Sequence, residues 1–131
     1  MTKEDIEECL KFAENWHYTP GEPPTMDLYY ICPVNEGSVY AVYLNEDMSV
    51  RGGYYHYKSF LQDVIEGINR KGAQNPGINQ PDCKYVIVQY GAQILVATGE
   101  TEEYFTHRSK DEEKAKEQAI IYVLNKIKEN K

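Results

Sequence analysis

Two of the chain's three histidines sit in one short pattern: His17-Tyr18-Thr19 and His107-Arg108-Ser109 both read H-x-[ST]. A pair of imidazoles brought to one groove can serve as general base and general acid, because histidine titrates near neutral pH. The third, His56, lies in Tyr54-Tyr55-His56-Tyr57-Lys58-Ser59, where the spacing to serine is one residue longer. With Arg51 and the surrounding tyrosines, His56 offers other chemistry: stacking and a cation, the means of holding a nucleobase or signalling nucleotide. Cys9, Cys32 and Cys83 are scattered and form no C-x-x-C pair, so they read as reduced thiols. Neither a metal nor a cofactor is expected, since the sequence carries no glycine-rich phosphate loop, metal-binding helix motif or nucleophile elbow.

The paired H-x-[ST] motifs resemble those of the two-histidine phosphoesterases, and the resemblance implies His17 and His107 as base and acid on a phosphodiester. It covers those six residues. In that family both motifs lie on strands facing one groove, whereas His17 here follows a helical pattern. A second resemblance covers residues 59 to 128, whose αβββα order is similar to a double-stranded RNA-binding domain. That family grips phosphates with lysines opening its last helix and with a G-P-x-H loop after its first strand. Here the helix opens Lys110-Asp111-Glu112-Glu113-Lys114 and the loop is Tyr90-Gly91-Ala92, so nucleic acid is not the expected partner. Arg51-Gly52-Gly53 looks like an RGG element, but a bulge in a strand accounts for its glycines.

Periodicity sets out the elements that must position these residues. Ile6, Cys9, Leu10, Ala13 and Trp16 recur at helical spacing, which predicts a helix from Lys3 to Trp16 with Thr2 as its cap. The run 19–25, TPGEPPT, reads as a loop. Strands are expected over 27–34, 38–44 and 49–57, joined by hairpin-length connections. Ser59 then caps a second helix whose stripe is Phe60, Leu61, Val64, Ile65 and Ile68, closed by Lys71 and Gly72. After a connection over 73–83, strands recur at 84–90, 93–98 and 103–108. A last helix follows, capped by Ser109, with Ala115, Ala119, Ile120, Val123, Leu124 and Ile127 inward. The expected fold is α+β in one domain, residues 1–131. An N-terminal helix precedes two βββα units, 27–72 and 84–130, which build one six-stranded, mainly antiparallel sheet with helices on one face. On that reading YYHYKS (54–59) and YFTHRS (104–109) are one structural joint used twice.

The composition, 41% hydrophobic and 27% charged over 131 residues, is that of a globular chain. No apolar run is long enough to span a bilayer and the N-terminus is charged, so a cytoplasmic, non-membrane protein is expected. Residues 1–57 hold ten acids against three bases, a balance equal to the whole net charge of −7. Such a field repels nucleic acid and attracts basic partners. Strand parity leaves tyrosines on both faces of the first unit, and Tyr29, Tyr40, Tyr43, Arg51, Tyr55, His56 and Tyr57 are the candidate binding residues. The function expected is that of a small acidic, non-enzymatic binding or inhibitor protein occupying a basic surface of another macromolecule. Immunity proteins and phage anti-defence proteins are its analogues in size and charge. The first expected strand carries only Asp27 and Pro33 to protect an edge, which predicts a homodimer through Tyr29, Tyr40 or Tyr55.

Overall fold

The computed structural model describes residues 2–20, 29–33, 42–45, 55–74, 84–98, 101–107 and 111–129. The chain is α+β, with three helices and antiparallel strands among these residues. Helix α1 (Lys3–Phe12) opens on Thr2, whose Oγ1 accepts the Asp5 N–H at 3.2 Å while the Asp5 carboxylate accepts the Thr2 N–H at 3.1 Å. This reciprocal box satisfies two of the donors that a helix start leaves open. The helix ends before the expected Trp16, which instead begins β1 (Trp16–Pro20). β1 pairs antiparallel with β2 (Tyr29–Pro33), and β2 with β3 (Val42–Leu44). Strand pairing, with the Trp16 ring buried edge-on against Phe60 at 5.2 Å, outweighs another helical turn. Thr19 and Pro20, expected in a loop, belong to this strand.

Helix α2 (Tyr55–Lys71) corrects the strand expected over 49–57 and the cap expected at Ser59. Tyr55, His56 and Tyr57 form its first turn, Ser59 lies inside it, and 49–54 lie outside the described residues. Tyr57 stands three residues before Phe60 and four before Leu61, so it extends the buried stripe by one turn. Its hydroxyl donates to Glu117 at 2.7 Å, a tertiary anchor that overrides the β-propensity of the tyrosine run. The helix closes as expected at Gly72, whose N–H donates to the Ile68 carbonyl at 2.9 Å and whose φ of +72° turns the following chain out of the helix.

The second half holds β4 (Ala73–Gln74), β5 (Lys84–Tyr90), β6 (Gln93–Thr98), β7 (Thr101–His107) and α3 (Glu112–Glu129). β5 and β6 match expectation, β7 starts two residues early, and β4 falls in what reads as connection. Asp111, whose Oδ1 accepts the Lys114 N–H at 3.0 Å, caps α3 in place of Ser109, which lies outside the described residues. Among the described residues the strands form two sheets, β1-β2-β3 and β4-β5-β6-β7, not the single expected sheet. The βββα order appears in β5-β6-β7-α3; among the described residues the strands ahead of α2 are β1, β2 and β3, of which β1 lies before the expected unit 27–72. Pairing across strands distant in sequence decides this, and hydrophobic alternation does not encode it.

One buried cluster draws on all three helices and both sheets. α2 and α3 cover the face of the second sheet that carries Tyr85, Ile87, Ile94 and Val96. α1 packs on α2 across Gly67, where an added Cβ would stand 2.1 Å from the Phe12 carbonyl oxygen. Among the described residues β4 pairs with Lys84 and Tyr85. Further along β5, Asn69 of α2 donates to the Ile87 carbonyl at 2.9 Å and accepts the Ile87 N–H at 2.8 Å. A side-chain amide thus continues the ladder where the short strand stops.

Candidate functional site

Among the described residues the expected site residues are spread over several elements. His17 is exposed on β1 and His107 ends β7, so these two histidines stand on strands of different sheets. His56 is half-buried in the first turn of α2, and Tyr57 is 2% exposed in the core. Burial, with the Glu117 carboxylate alongside, pushes the Tyr57 hydroxyl above its usual titration range. Tyr55 begins α2 and Tyr29 begins β2, opposite Leu44. Tyr40 and Arg51 lie outside the described residues. Within the expected set, Tyr43 is the residue the structure shows exposed, at 45%, between the buried Val42 and Leu44.

A second surface emerges from the register of the other sheet. Side chains on β5 and β6 alternate, and those not turned to the helices form rows across the sheet. Val88 stands opposite Leu95, and Leu95 opposite Phe105. Val86 stands opposite Ala97 and Ala97 opposite Glu102; Tyr90 pairs with Gln93 and Gln93 with His107. Val88, Phe105 and Tyr90 are 40%, 53% and 73% exposed, while Val86, Leu95 and Ala97 are half-buried among them. Five apolar side chains therefore adjoin on three strands, with Tyr90 at one end and Glu102 at the other, while Glu103 accepts from the Tyr122 hydroxyl of α3. The sequence held the signal: KYVIVQY and QILVAT are apolar at both parities, the feature that singles out the tyrosines of the first half.

Near the end of α1 a cavity of about 90 Å³ is lined by Phe12, Trp16, Glu14, Asp63, Glu66 and Arg70, among others. Trp16, Asp63 and Glu14 of this lining hold the fold together. The Trp16 Nε1–H donates to Asp63 at 2.7 Å, and Lys71 binds both Glu14 and, at 2.8 Å, the Lys11 carbonyl. Burial pushes the Tyr18 hydroxyl up to about 12 and the Cys9 thiol well above its usual range, so neither is activated at neutral pH. Among the described residues no three His, Cys, Asp or Glu side chains gather as a metal site, and no helix is long and apolar enough to cross a membrane.

Comparison of the chain with protein-family models, with curated proteins and with solved structures finds no match.

Proposed function

We propose that this is a non-catalytic recognition protein that occupies a basic surface of another macromolecule, as small acidic inhibitors do. The observation that carries the reading is the exposure of Val88, Tyr90 and Phe105 on one sheet face and of Tyr43 on the other sheet, in a chain of net charge −7. Aromatic and apolar side chains at a surface supply binding area at low entropic cost, and surplus carboxylates steer encounter with cations. Affinity capture from the source cells, followed by mass spectrometry, tests the reading. A protein partner with a basic surface is expected, released as salt is raised. Recovery of nucleotide or nucleic acid without any protein overturns it.

A second reading, a nucleic-acid module, draws on the order α2, β5, β6, β7, α3 with both helices against one sheet face. Against it stands the start of α3, where Asp111, Glu112 and Glu113 occupy the turn that would meet phosphate. A mobility shift with a short RNA duplex at low salt separates the two, and micromolar binding favours the second.

A further inference from the structure

We draw no further inference here: the strongest candidate, the apolar outer face of β5-β6-β7 around Val88, Leu95 and Phe105, carries nothing because nothing in the structure shows what covers it.

Discussion

Asn69 shows how much one polar side chain can decide. Its amide makes both hydrogen bonds to the Ile87 backbone, in the place where a longer β4 would have made them. Asn69→Ala leaves a part-buried donor and acceptor without these partners, and about 1–3 kcal/mol of stability should be lost in urea unfolding. In sequence the residue is merely a polar position between Ile68 and Arg70, because nothing local says that a strand edge lies alongside. Tyr57 is the opposite case. Its place on the helical stripe is legible from its spacing to Phe60 and Leu61, yet its β-prone neighbours argue for a strand. Tyr57→Phe keeps the ring against Phe60 and removes the bond to Glu117, so a loss of about 1–2 kcal/mol is expected by the same measurement.

Among the elements, the helix ends were partly readable and the helix–helix approach was not. Thr2 and Gly72 act where cap chemistry puts them, since a cap is a local arrangement of neighbours in sequence. Gly67 offers no such cue inside a helix, where glycine reads only as a weak former. Its reason is the Phe12 carbonyl, which a Cβ would meet at 2.1 Å. Gly67→Ala should push the end of α1 off α2 and cost about 1–3 kcal/mol, visible as a lowered melting temperature. An unchanged melting temperature would mean that the two helices do not approach as described. Sheet partnership was similarly out of reach: KYVIVQY and QILVAT announce strands, but β1 hides behind a helical spacing that Trp16 completes.

On the scale of the whole molecule, the two ends of the chain are tied by Lys128 of α3, which reaches the Asp5 carboxylate of α1 at 3.2 Å. Burial alone would raise the Asp5 pKa, but hydrogen bonds from Thr2 and Lys128 outweigh it and hold the carboxyl below its ordinary value of 3.8. A depressed folded-state pKa contributes stability that is present above the unfolded value and lost as pH falls through the folded one. Melting curves should therefore show a decline below about pH 3.8, shallower in Asp5→Asn. Light scattering should give a monomeric mass. The homodimer expected through Tyr29, Tyr40 or Tyr55 rested on an open edge at the strand carrying Tyr29, and that strand, β2, pairs with β1 on one side and β3 on the other. A dimeric mass would restore the expectation. By itself the sequence determined the α+β class, the capping of α1, the close of α2, the span of β5 and β6, and the inward stripe of α3, all of which follow from local chemistry and short periods. Only the tertiary structure decided that Trp16 starts a strand, that the strands divide into two sheets, and that Val88, Leu95 and Phe105 share a surface. Those outcomes depend on register between residues far apart in the chain, and the energy of such pairings has no signature in any one segment.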